Sequence, residues 1–232
     1  MISQPYSVWI TRAQPGADAT AERVRALGHR PVVVPLLEVR PTPDVRIDLA
    51  GVGALAFTSA NGVRAFAAAE PRRDLTVFAV GQATARAAKE VGFRRVLSSD
   101  GDVAALAQGI AARRNEIAGI VLNPGAEEPA GDLVGALAEW KVPARREVLY
   151  SSYAVQLDAA QLAEVEGADV ALVHSPKGAQ ALAELLAEHP SPQLRVLGLS
   201  RAVLEPLAET PVAARAFAPF PLEAALLNLI DR

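Results

Sequence analysis

The stretch "GALAFTSANGVRAF", residues 53–66, runs from a continuous apolar segment into Thr58, Ser59, Asn61 and Gly62, then into an apolar-periodic segment. The first part reads as a strand covered on both faces, the last as a helix, and the small polar residues between as a tight turn. The same design returns in "ADVALVHSPKGAQAL", residues 168–182, so that Ser59 and Ser175 stand 116 positions apart. A second pair follows, "LTVFAVGQATARAAKEVG" (75–92) with "LRVLGLSRAVLEPLAE" (194–209). A fainter echo joins "ITRAQPGADATAERVRALG" (10–28) to "VLNPGAEEPAGDLVGALAEW" (121–140). The chain is therefore read as a duplication of strand–helix units.

Working outward, short apolar runs alternate with Ala/Leu/Glu/Arg stretches of helical period. Strands are predicted at 7–11, 31–36, 54–58, 76–80, 95–98, 119–123, 146–150, 169–174, 195–199 and 214–218, and helical patterns include 17–28, 61–70, 82–92 and 177–189. Such alternation implies α/β architecture with right-handed crossovers. Ten strands divide naturally into two similar lobes, each a roughly five-stranded parallel sheet flanked by helices, flavodoxin-like or Rossmann-like. The midpoint lacks linker composition, whereas "PLLEVRPTPDV" (35–45) is proline-rich and "EVLYSSYAVQL" (147–157) overruns a strand into serines and tyrosines. The expected division is lobe 1 from residues 1–37 and 153–232, lobe 2 from 44–147, with linkers 38–43 and 148–152.

Composition excludes several chemistries. The 232 residues include no cysteine, which removes disulfides, thiolate nucleophiles and cysteine-ligated metals together. No apolar run approaches a membrane span and the N-terminus does not read as a signal peptide, so a soluble cytoplasmic protein is expected. A formal charge of −3 gives no reason to expect nucleic acid or membrane as a partner. Of the 23 basic residues only Lys89, Lys141 and Lys177 are lysine; arginine suits carboxylates and phosphates, though most here fit solvated helix positions. His29, His174 and His189 have no metal-ligand spacing, and neither a phosphate loop nor a nucleophile elbow occurs, so no metal is expected.

In open parallel sheets ligands gather at the carboxyl ends of strands, beside helix N-termini whose N–H groups favour anions. Six predicted turns carry Gly, Ser, Thr or Asn there: "TRAQPG", "TSANG", "VGQAT", "NPGAEE", "HSPKG" and "GLSRA". Taken singly, each needs no explanation beyond an N-cap. Taken together, six such turns on two lobes would line a cleft rich in main-chain donors for an anionic ligand.

The ordered set "FTSANGV", "VGQATARAAKEVG", "LNPG", "VLYSSY", "VHSPKG" and "LGLSRA" resembles the uroporphyrinogen-III synthase family over essentially the whole chain. The resemblance implies two α/β lobes joined by a two-stranded connection, and a cyclising hydro-lyase acting on hydroxymethylbilane in tetrapyrrole and haem biosynthesis. It implies no metal or organic cofactor, and a monomer is expected. Carried over position by position, the substrate-binding residues are Thr11, Arg12, Thr58, Ser59, Asn61, Gly62, Gly81, Thr84, Asn123, Gly125, Ser175, Pro176, Gly178, Gly198, Ser200 and Arg201. Tyr150, ending "EVLY", takes the place of the tyrosine proposed to assist departure of the hydroxyl, and is the expected catalytic residue.

The chain departs from that family at "LNPGAEEPAGDL", where arginines are usual, and at "GLSRA" and "VHSP", where hydroxyl residues are usual. Two other readings remain open: a non-catalytic two-lobed binder of a small anionic metabolite, and a nucleotide-dependent transferase using the same turns.

Overall fold

The computed structural model describes residues 4–129 and 131–231. The chain runs through β1 (Ser7–Ile10), α1 (Gly16–Ala26), β2 (Arg30–Val33), β3 (Leu37–Pro41), β4 (Val52–Phe57), α2 (Ala60–Ala69), β5 (Thr76–Ala79), α3 (Gln82–Glu90), β6 (Val96–Ser98) and α4 (Val103–Ala112). It continues through β7 (Ile120–Ala126), α5 (Leu133–Glu139), β8 (Ala144–Ala154), α6 (Ala159–Val165), β9 (Val170–Val173), α7 (Pro176–Glu188), β10 (Arg195–Gly198), α8 (Arg201–Leu204), β11 (Ala214–Phe217) and α9 (Glu223–Leu227). These elements form two α/β units, one ending at Val39 and resuming at Tyr153, the other spanning Arg40–Ser152.

The first unit holds a parallel sheet in the order β11-β10-β9-β1-β2. The second holds β3-β8-β7-β4-β5-β6, parallel from β8 to β6. Placing the two repeats on these orders explains the discontinuous first unit. Matching β4, β5 and β6 to β9, β10 and β11, and β7 and β8 to β1 and β2, makes the two five-strand orders identical. Each sheet thus combines two strands of one repeat with three of the other.

Residues 38–43 and 148–152, expected as linkers, lie largely within β3 and β8. Thr42 N–H bonds the Leu149 carbonyl at 2.9 Å and Val155 N–H bonds the Leu36 carbonyl at 3.0 Å, an antiparallel pairing that satisfies the backbone of both segments. Pro41 sits at the end of an edge strand, where its missing N–H removes no ladder bond. Most of β8 is only half-buried, so it lacks the continuous apolar run that marked the other strands.

Each central strand is apolar on both faces because helices cover both. In the first unit Trp9, Ala171, Val173 and Val196 pack with Ala179, Leu182 and Leu186 of α7. Their alternating neighbours Val8, Ile10, Val170, Leu172 and Leu197 face α1 and α9. In the second, Ala54, Ala56, Phe78 and Val121 pack with α4 and α5, while Phe57 meets Phe66 of α2 edge-on at 5.8 Å between ring centroids. Alanines on β4 keep the helices close; Phe57 fills the other side.

Candidate functional site

Strand order in an open sheet fixes where turns can converge. In the second unit it reverses between β4 and β7, and at that crevice the turn after β4 meets the end of β7. A Cβ on Gly62 would fall 2.9 Å from the Pro124 carbonyl oxygen, so glycine is what lets the first turn of α2 lie against β7. Ser59 caps α2, its Oγ accepting the Gly62 N–H at 3.1 Å. The N–H groups of Ala60 and Asn61 at the first two helical positions remain directed along the axis, where the helix dipole favours an anion.

The Ser59 hydroxyl does more than cap, since its Oγ lies 2.8 Å from the Tyr150 hydroxyl, and either oxygen can donate. Tyr150 comes from β8, two strands from β4, through a slip in the ladder. Gly125 pairs with Val148 but Ala126 pairs with Tyr150, so β8 bulges by one residue at Leu149. Such a bulge re-aims the side chain that follows it. The Tyr150 side chain is buried, and burial raises its pKa, while the Ser59 hydrogen bond and the Arg146 charge pull the other way. The phenol is therefore a neutral hydrogen-bond donor. Arg146 is held by the carbonyls of Ala126 and Glu127.

The turn after β5 differs. Gly81 occupies the N-cap of α3 with no side-chain cap, its backbone is extended, and a Cβ there would meet nothing within 4 Å. Its glycine leaves the helix N-terminus uncovered rather than permitting an unusual conformation. Thr84, in the first turn of α3, is buried. Thr58, between β4 and the Ser59 cap, is half-buried.

In the first unit Ser175 caps α7 by accepting Gly178 N–H at 3.1 Å, the counterpart of Ser59 and Gly62. Pro176 at the first helical position has no N–H, so it shapes the turn and offers no donor to a ligand. Ser200 caps α8 through Val203 N–H at 3.4 Å, Gly198 makes room for the Leu204 side chain, and Arg201 is exposed.

Two of the expected binding residues turn their side chains inward. Thr11 Oγ1 donates to the Leu172 carbonyl at 2.7 Å, and Asn123 Nδ2 donates to the Ala56 carbonyl at 2.8 Å. Ala56 and Leu172 are equivalent positions of the repeat, so both sheets use one buried polar tie at the same step. Gly125 lies beside Asn123 with open space where a side chain would point. Arg12 is engaged by Glu223. Sequence reasoning missed that glutamate, along with Thr20 and Arg23 beside it, because "PLEAALL" reads as an ordinary helix start with an acid in its first turn.

A chain of two like α/β units, with helix N-termini and small residues at the carboxyl ends of their strands, belongs to the class of two-unit α/β proteins built on parallel sheets. The sequence model described as "Uroporphyrinogen-III synthase HemD" matches residues 18–228, and the chain belongs to that family. The fold is similar to that of a uroporphyrinogen-III synthetase from Helicobacter pylori, with 16% identity, 97% of this chain and 98% of that chain covered, and a TM-score of 0.66. It is also similar to a mutant uroporphyrinogen III synthase from the extremely thermophilic bacterium Thermus thermophilus, with 19% identity, 97% of each chain covered and a TM-score of 0.53. No match was found among curated proteins. Among the described residues no helix is long and apolar enough to cross a membrane, and no group of three or more His, Cys, Asp or Glu side chains could hold a metal ion.

Proposed function

We propose that the chain closes hydroxymethylbilane to uroporphyrinogen III, inverting the last pyrrole ring with loss of water. The observation that carries this reading is the Ser59–Tyr150 hydroxyl pair, 2.8 Å apart at the N-terminus of α2, in a chain of this family.

The reaction asks little of a protein in acid–base strength. The substrate's terminal hydroxyl leaves with one added proton as water, and a pyrrole N–H gives up the balancing proton, so the step needs a relay rather than a consumed acid. The Tyr150 hydroxyl, kept neutral by burial and aligned by Ser59, is that relay. The azafulvene so formed cyclises unaided to the unwanted isomer. Selectivity therefore comes from geometry: the substituted carbon of the last ring must reach the electrophilic carbon first, giving a spiro intermediate; its bond to the original methylene bridge then breaks, and the bridge rejoins at the ring's free α-carbon, which loses a proton, leaving the ring inverted. Main-chain donors at the starts of α2 and α3, fixed before the substrate arrives, hold its carboxylates in that curl. No cofactor is required by this scheme.

The test is to supply enzymatically generated hydroxymethylbilane and separate the products by isomer. Type III product without added cofactor is expected. Type I product alone, at the uncatalysed rate, overturns the proposal and leaves the reading of a binding protein.

A further inference from the structure

The bulge that brings Tyr150 to Ser59 sits where the ladder between β7 and β8 has least to hold it. Pro124 lacks the N–H of an ordinary strand residue, Gly125 has no side chain to pack, and Leu149 opposes no residue of β7. Arg146 spans the slip. It pairs with Asn123 before the bulge, and its guanidinium reaches past it to donate from Nη2 to the carbonyls of Ala126 and Glu127. The two strands are tied twice more there. Glu127 N–H bonds the Tyr150 carbonyl at 2.8 Å, and the Ser151 hydroxyl donates to the Glu127 carboxylate at 2.6 Å. The Tyr150 backbone is therefore located from both sides, by Arg146 through Glu127 and by Ser151.

Two features make Arg146 more than a strand tie. Its Nε is buried with no hydrogen-bond partner, a cost that an arginine serving only the surface would avoid by turning outward. No carboxylate pairs with it among the described residues, whereas the adjacent Arg145 pairs with Glu147 at 2.9 Å. The unneutralised charge acts on Tyr150 instead. Burial raises the pKa of that phenol, and the Ser59 hydrogen bond and then the Arg146 charge oppose the rise. A positive charge beside a buried hydroxyl makes it a readier proton donor.

We propose that Arg146 is a positioning residue for the Tyr150 relay: its clasp on the end of β7 holds the slipped register that sets the phenol against Ser59, and its charge acts on the hydroxyl that gives up the proton. The relay rests on the synthase reading; the clasp does not.

The test has one arm with substrate and one without. Supplied with enzymatically generated hydroxymethylbilane, Arg146→Gln is expected to lower kcat for type III product about tenfold while KM stays within about twofold. Arg146→Lys keeps the charge without the fork and recovers about half of that loss. In a Tyr150→Phe background Arg146→Gln leaves the residual rate unaltered, because the group it acts through is gone. An equal loss in both backgrounds makes Arg146 a general structural residue and overturns the proposal.

Without substrate, urea unfolding of the single and double variants Ser59→Ala and Tyr150→Phe reads the coupling between the two hydroxyls. It is expected at about fivefold in the unfolding constant for the parent and near unity once Arg146→Gln releases the register. Coupling undiminished by Arg146→Gln overturns the proposal too. Where Arg146→Gln does not fold, Arg146→Lys serves in both arms, with kcat lowered and the coupling reduced. A chain that forms only type I product while the coupling still collapses loses the synthase reading and keeps the clasp; type III product with the coupling intact does the reverse.

Discussion

The hydroxyls of Ser59 and Tyr150 meet at 2.8 Å although the residues are 91 positions apart. One belongs to the cap of α2, the other to a bulged strand two places away in the sheet, so this contact ties the helix N-terminus to a phenol. Removing that phenolic oxygen separates its chemistry from its packing. Tyr150→Phe is expected to lower kcat for type III product roughly a hundredfold with KM nearly unchanged. A purely structural tyrosine would instead lose about 1 kcal/mol of stability with kcat intact. Initial rates and urea melts on one preparation decide between the two.

Two serines in equivalent caps provide a matched comparison. Ser59→Ala and Ser175→Ala each forfeit an N-cap bond, about 1 kcal/mol apiece. Ser59→Ala also strands the buried Tyr150 hydroxyl, adding roughly 1 kcal/mol or more. Urea midpoints should therefore fall further for Ser59→Ala, and combining it with Tyr150→Phe should give less than the sum of the two losses.

The glycines at the helix starts differ in what they protect. Gly62→Ala drives a methyl toward the Pro124 carbonyl and is expected to cost about 2 kcal/mol in denaturant unfolding. Gly81→Ala meets nothing and should stay within about 0.5 kcal/mol of the parent. If the uncapped start of α3 holds a substrate carboxylate, the Gly81 variant raises KM while its stability is unchanged.

His174 makes stability depend on pH. Its folded pKa is lowered well below 6.5 by burial and by Arg12 and Arg23, with Glu223 the carboxylate facing it. The unfolded chain therefore takes up a proton that the folded chain refuses once the pH falls below 6.5, and stability drops on acidification from there to the folded pKa. The slope is at most about 1.4 kcal/mol per pH unit, and His174→Gln should flatten it. Urea unfolding between pH 7 and pH 5 measures both.

Much of this organisation can be read from particular residues. The Ser-x-x-Gly spacing at Ser59 and Ser175 announces two capped helix starts, and the unbroken apolar runs before them announce strands covered on both sides. The duplication is visible in the same pairs. Residues 37–41 read as part of an extended connection, but their half-exposed, proline-ended pattern does not itself show which segment lies alongside. Thr11 and Asn123, implied as substrate-binding residues by the family resemblance, each donate to a carbonyl of the neighbouring strand, a tie no local pattern announces.

The amino-acid order by itself determined which segments become strands and helices, since periodicity and caps act between residues a few positions apart. Only the tertiary structure decided that a slipped strand brings Tyr150 to Ser59, and that Glu223 comes to rest between Arg12 and Arg23. Such meetings depend on strand order and register, and those are settled by the packing of the whole sheet against its helices rather than by any local stretch of chain.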